Sequence, residues 1–455
     1  MVKSSRISGF YIAICSFVIS LAVAVFPGKS ALEGDQRNIP DITDKSDNWG
    51  FFTAFFYGEW PNFLGEWRFT LIVFQLAISV SGFLMLTKDF RPKGSRQVVF
   101  YVLLFFVSSM FSIQLSRDAS LYAFSLIGFG LINISYNYRS KTKVALIFCG
   151  WLFLFLASMF KPILSLALLP LLTWLLWQIR NTSIKKTLKV FLIPLFLLAT
   201  LPSVLDQSLI RVSKMQSVYP EQQPVILDLA MNYCWGQSDS IRTASKLALE
   251  AVVRPSYPVE SICAATNPFR WDDLHSDPKD WIFSNPISRL TGESASPKVR
   301  KLILDWVSIV IANPADWLQV RLLVVGPVLL MSNSFANTEF EKANLSIFDR
   351  FSNSMWTPLY FFVGLIDKLR ITSLFFLLAF QFFLLINYSN MRFDQKSKMK
   401  GTLAFSFLAS TISFSLATLT FLAPNGRYIL PYITLNYILL YRALSKNSQT
   451  RITSK

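Results

Sequence analysis

Three groups of ionisable residues lie against long apolar runs in this chain, and each has a chemistry it can do. The first is acidic: Glu33, Asp35, Asp41, Asp44 and Asp47 fall within fifteen residues. A carboxylate there can serve as general base towards an acceptor hydroxyl, or hold a divalent metal through oxygen ligands. A plain solvated loop has the same composition. Asp35 stands nine residues beyond the apolar run that ends at Phe26, close enough to fold back over it. The second group is Ser116-Arg117-Asp118, a charged pair confined to a few residues between two apolar runs. Ionisable groups held at such depth are functional candidates, Asp118 for catalysis and Arg117 for anion binding. A snorkelled pair that only delimits two helices reads the same way. The third group is cationic: Lys161 before Pro162, Arg427 in Asn425-Gly426-Arg427-Tyr428, and Arg321 inside an apolar stretch. Fixed cations match the phosphate of a lipid carrier whose tail lies in a bilayer. Neutralising such a phosphate as it leaves stabilises a transition state electrostatically. Interface anchoring accounts for one such cation more readily than for three.

The elements that position these groups are membrane spans. Of 455 residues, 53% are hydrophobic and only 16% charged, against about 25% charged in a soluble domain. Apolar runs at 7–26, 69–86, 98–113, 121–134, 144–160, 163–177, 190–205, 371–386, 403–422 and 428–441 are read as crossing helices, because only a helix satisfies its own backbone in lipid. The expected fold is therefore an all-α polytopic membrane protein of about ten transmembrane helices. Stretches 317–331 and 356–366 read as interfacial or re-entrant; as an extra pair of spans they would make twelve. Lys3, Arg6 and Ala22-Val23-Ala24 imitate a cleavable signal peptide, but the first apolar run is too long, and a retained signal anchor is expected.

Sorting the charges by side fixes the orientation. The formal net charge is +17, a balance that taken alone points to nucleic acid or an anionic surface. With the N-terminus inside, the short inner loops hold 21 Lys or Arg against two acids, Asp89 and Asp394, a net of +19. Everything else holds 23 basic and 25 acidic residues, a net of −2. The asymmetry places both termini in the cytoplasm and leaves nucleic acid without support as a partner.

The chain divides into an N-terminal bundle of seven spans (1–205) with an outer loop at 27–68, a large extracytoplasmic region (206–316), and a C-terminal membrane region (317–455). About 150 outer residues suit an enzyme or receptor at the outer surface better than a channel or carrier. Within the large region, 240–253 has helical spacing, and a second helix is expected to start at Ser296-Pro297, with Ser296 as N-cap, and to end at Asn313-Pro314. Its apolar face suits lying along the bilayer. Cys234 and Cys263 lie in this region, where a disulfide can form if the compartment is oxidising. A single His275 and no clustered Cys or His argue against zinc. Glycine motifs for nucleotides do not occur.

Taken in order, several short stretches resemble the integral-membrane glycosyltransferases of the C-type fold, which use polyprenyl-phosphate-linked sugars as donors. They are the acidic first outer loop, the Ser-Arg-Asp turn, Phe160-Lys161-Pro162-Ile163-Leu164-Ser165-Leu166 read as a helix start, Ala312-Asn313-Pro314 with Trp317, Leu318 and Arg321, and Gly426-Arg427-Tyr428-Ile429-Leu430-Pro431. The resemblance implies that an acid of the first loop, best matched by Asp35, is the catalytic base or a metal ligand. It implies that Lys161, Arg427 and Arg321 hold the donor phosphate. Where that family carries a paired Asp-Glu, this chain has Gly34-Asp35-Gln36. The expected function is sugar transfer from a polyprenyl-phosphate donor to a lipid-linked or cell-surface glycan at the outer face of a cell membrane. A surface-polysaccharide polymerase or ligase acting on lipid-linked oligosaccharides is the nearest alternative. A transporter or flippase is less favoured, because the assigned span interiors carry no Asp, Glu, Lys or Arg.

Overall fold

The structure, a computed structural model, describes residues 51–64, 67–88, 95–113, 117–161, 166–180, 184–215, 222–253, 258–265, 295–330, 373–388, 401–412, 415 and 430–449. Among the described residues there are helices and no strand. In chain order they are α1 (Phe51–Leu64), α2 (Trp67–Leu86), α3 (Ser95–Ile113), α4 (Arg117–Ser135), α5 (Ser140–Phe160), α6 (Leu168–Arg180) and α7 (Ile184–Val212). Then follow α8 (Gln222–Trp235), α9 (Asp239–Glu250), α10 (Ser261–Ala265), α11 (Ser296–Ala312), α12 (Pro314–Leu330), α13 (Leu374–Tyr388), α14 (Gly401–Ile412) and α15 (Leu430–Gln449).

Among the described residues, three stretches are long and apolar enough to cross a membrane: Arg117–Ser135, Lys141–Phe160 and Ile193–Val212. Six further apolar helical stretches are shorter. Burial separates their roles. Helix α4 is buried on nearly every side, Leu131 and Ile134 alone between Asp118 and Ser135 being only half-buried, as expected of a helix at the centre of a bundle. Helices α5 and α7 instead turn large apolar side chains outward: Val144, Phe148 and Leu152 on one, Ile193, Phe196 and Leu197 on the other. Exposed apolar faces on helices of this length are faces for lipid, and the architecture is that of a membrane protein.

Glycines let α4 sit so deep. A Cβ on Gly82 of α2 would lie 2.4 Å from the backbone carbon of Leu126, and one on Gly128 would lie 2.9 Å from the carbonyl oxygen of Gly150 on α5. Small residues thus bring three backbones together, the usual device where water cannot drive helices to associate. The second contact also sets a register. Asp118 is ten residues back from Gly128 along α4, and Lys161 is eleven on from Gly150 along the antiparallel α5. At 1.5 Å per residue both lie about 15 to 17 Å from the glycine crossing, at the same end of the bundle.

That end also receives α1, and here the structure differs from the reading of 27–68 as a polar loop. Residues 51–64 form an apolar helix whose Tyr57 is 1% exposed. Helix α7 likewise runs seven residues past the expected span end at Leu205, through the buried Asp206. A carboxylate need not end an apolar helix when backbone N–H groups of a neighbour satisfy it, as those of α1 do here.

Beyond α7 the chain builds a helical lobe, α8 to α12, around Ile226, Leu229, Ile241, Leu249, Ile262, Leu302 and Ile309. Cys234 and Cys263 form a disulfide that ties α10 to the end of α8. Helix α9 starts on a Ser238 N-cap, whose hydroxyl accepts from the Ile241 N–H. Helix α11 has Pro297 in its first turn as expected, but its cap position is Ala295 rather than Ser296, with no side-chain bond. Stretch 317–331, read as interfacial or re-entrant, falls on the 17-residue α12. Met231 of α8 and Val320 of α12 belong to the core of the bundle, so lobe and bundle are in apolar contact.

Helices α13, α14 and α15 meet through uncharged polar groups. Gln381 donates to Ser406 at 2.5 Å and to Ser410 at 3.1 Å, and Ser406 donates to Asn436 at 2.6 Å. Interhelical bonds of this kind hold apolar helices together at fixed rotation.

Candidate functional site

The register of α4 and α5 makes a buried ion pair. The Lys161 ammonium donates to Asp118 Oδ1 at 2.5 Å, with the lysine side chain 13% exposed and the aspartate 1%. Both helix dipoles favour this arrangement: Asp118 is in the first turn of α4, and Lys161 follows the last residue of α5. Tyr432, buried at the start of α15, lies within electrostatic reach of Asp118. Arg117, half-buried, heads α4 beside it.

Uncharged groups fix the surroundings. Tyr57 of α1 and Ser120 of α4 share a hydrogen bond of 2.7 Å, and Gln75 of α2 donates to the same Ser120 oxygen at 2.9 Å. Phe52 and Phe56 meet the ring of Phe160 edge-on, with centroids 5.0 and 5.1 Å away, and Phe124 closes the wall at 5.3 Å. The result is an apolar corner where one ammonium, held by a buried carboxylate, stays partly exposed. Such a group can offer charge-assisted hydrogen bonds to an anionic oxygen without losing its own counterion.

Arg321 has a different setting. Its Nε lies 2.8 Å from Asp228 Oδ1 with both side chains buried, and the guanidinium lies 5.9 Å from the centre of the Trp317 ring. The other carboxylate oxygen of Asp228 accepts from the indole N–H of Trp306 at 2.5 Å and of Trp317 at 2.7 Å. This constellation joins α8, α11 and α12 inside the lobe. It gives Arg321, expected at the donor phosphate, a carboxylate partner of its own. Asp228 was not among the residues singled out from the sequence. The available signal was an acid flanked by Ile226, Leu227 and Leu229, apolar neighbours that all turn out buried.

The lobe surface carries a further pair. Lys246 donates to Glu260 at 2.6 Å, and this hydrogen bond holds the Glu260 carboxyl below the usual carboxylate range and raises the Lys246 ammonium. Both groups are exposed, so the pair adds little to stability.

Of the sequence-selected residues, the structure therefore brings Asp118 and Lys161 together, leaves Arg117 half-buried next to Asp118 in the chain, pairs Arg321 elsewhere, and joins Cys234 to Cys263. Asp35 and Arg427 lie outside the described residues. Among the described residues no group of three His, Cys, Asp or Glu is placed to hold a metal ion. Comparison with known proteins finds no family model, no curated protein and no solved structure that matches the chain.

Proposed function

We propose that this chain is a membrane glycosyltransferase working at the outer face of a cell membrane. It takes a sugar from a polyprenyl-phosphate donor and adds it to a lipid-linked or cell-surface glycan. The observation that carries this reading is the buried Asp118–Lys161 pair at the end of the central helix. Helix α4 has 19 residues and spans about 28 Å, close to the thickness of the hydrocarbon layer. An ammonium at its end stands where the phosphate of a membrane-held polyprenyl lipid would stand.

In this reading Lys161 and Arg427 neutralise the lipid phosphate as it leaves, and Asp35 deprotonates or positions the acceptor hydroxyl. Asp118 holds Lys161 in place. The Asp228–Arg321 pair fixes the lobe, with Arg321 orienting α12. About ten spans, with both termini in the cytoplasm, put the lobe outside; a disulfide within it fits an oxidising compartment.

Transfer from a polyprenyl-phosphate sugar, followed in reconstituted vesicles, tests the assignment. Asp35→Asn and Arg427→Ala are each expected to lower the rate about 100-fold, the usual scale for losing one group that stabilises developing charge or moves a proton. Full activity in both variants would show that the site lies elsewhere.

A further inference from the structure

Helix α1 begins with a problem that the chain solves from far away. The first N–H groups of a helix have no partner inside it. Gly50, the residue before α1, has no side chain to supply one. The partner comes from α7: Asp206 Oδ1 accepts from the Phe52 N–H at 3.1 Å, and the Phe51 N–H bonds to the same carboxylate. Asp206 is 154 residues away in sequence and only 7% exposed. Its negative charge also faces the positive end of the α1 dipole.

From that anchor α1 is fastened on both sides of the ion pair. Its Phe52 and Phe56 pack on Phe160, the residue immediately before Lys161. Its Tyr57 bonds Ser120, two residues after Asp118. One helix, with its N-terminus fixed by a third element, thus touches the chain next to each member of the pair.

We propose that Asp206 is a positioning residue: by capping α1 from α7, it holds α1 as the cover of the Asp118–Lys161 site and sets how far the Lys161 ammonium is open to an anionic ligand. The inference concerns access to the pair and stands whatever group the site transfers.

Hydrogen exchange and amine labelling of the full chain in lipid nanodiscs test it without any activity assay. Labelling uses a water-soluble sulfosuccinimidyl ester, with Lys246 and Lys301 of the lobe as internal references. In the wild type, the Phe51 and Phe52 amides should exchange slowly for the first turn of a helix, and Lys161 should label at least ten-fold more slowly than the references. In Asp206→Ala, exchange across 51–57 and labelling of Lys161 should both rise several-fold, with α4 and the reference lysines unchanged. Asp206→Asn keeps an oxygen acceptor, and Asn caps a helix as well as Asp does, so it should stay close to wild type.

An unchanged Lys161 rate in Asp206→Ala would overturn the proposal. So would an Asn variant that opens like the Ala variant, or a loosening of α4 equal to that of α1, which would make Asp206 a residue of general stability. If Asp206→Ala does not fold, the wild type decides alone: rapid exchange at Phe51 and Phe52 refutes the cap.

Discussion

At the scale of residues, the two buried ion pairs look alike and have different work. Asp228 is held by an ion pair to Arg321 and by the indole N–H groups of Trp306 and Trp317, three side chains from two helices. Removing it leaves a guanidinium and two indole N–H groups buried without their acceptor. Asp228→Ala should therefore cost about 3–5 kcal/mol, read as a large drop in the unfolding temperature of the purified protein. Asp118 and Lys161 instead keep an ammonium at the edge of the site. These two, with Arg117 and Arg321, were legible in the sequence because a charge amid apolar residues stands out. Asp228 was not, since an acid in a stretch read as an outer polar region attracts no notice. Tyr57, Gln75 and Ser120 were equally hidden: the bonds that join them cross between helices, and nothing in local spacing marks uncharged partners.

At the scale of elements, close approach of backbones controls where the site forms. Gly82 and Gly128 have no room for a side chain, the first against backbone atoms of α4 and the second against the backbone of α5. Gly82→Leu should push α2 away from α4 and destabilise the fold by several kcal/mol, since overpacking against backbone cannot relax by a rotamer change. Gly326 of α12 offers the contrast, with nothing within 4 Å of an added Cβ. Gly326→Ala should be neutral or stabilise by up to about 1 kcal/mol, as alanine does in a helix interior. Thermal unfolding of both variants in one detergent checks the pair. Period and apolar length in the sequence placed α4, α5, α9 and α11 close to their observed positions. They failed for α1 and the end of α7 for one shared reason. Asp206 looked like a helix end, and 27–68 looked polar as a whole, yet each element satisfies the other's exposed groups, a compensation between residues 154 apart.

At the scale of the whole molecule, the two ends of the central helix differ in charge. The cations Arg139, Lys141 and Lys143 follow the end of α4 opposite Asp118, with Lys143 lying 4.6 Å from the centre of the Tyr136 ring. The central helix thus runs from that basic end to the buried Asp118–Lys161 pair. A glycosyltransferase reading makes that pair the place where a lipid phosphate is released. The most direct measurement is the rate of sugar transfer from a polyprenyl-phosphate donor in proteoliposomes, comparing wild type with Lys161→Ala at saturating acceptor. The expected result is transfer by the wild type and a 100- to 1,000-fold lower turnover in the variant, the scale for losing one group that stabilises a developing anion. Equal turnover in a folded Lys161→Ala protein, or no transfer by the wild type, would contradict it.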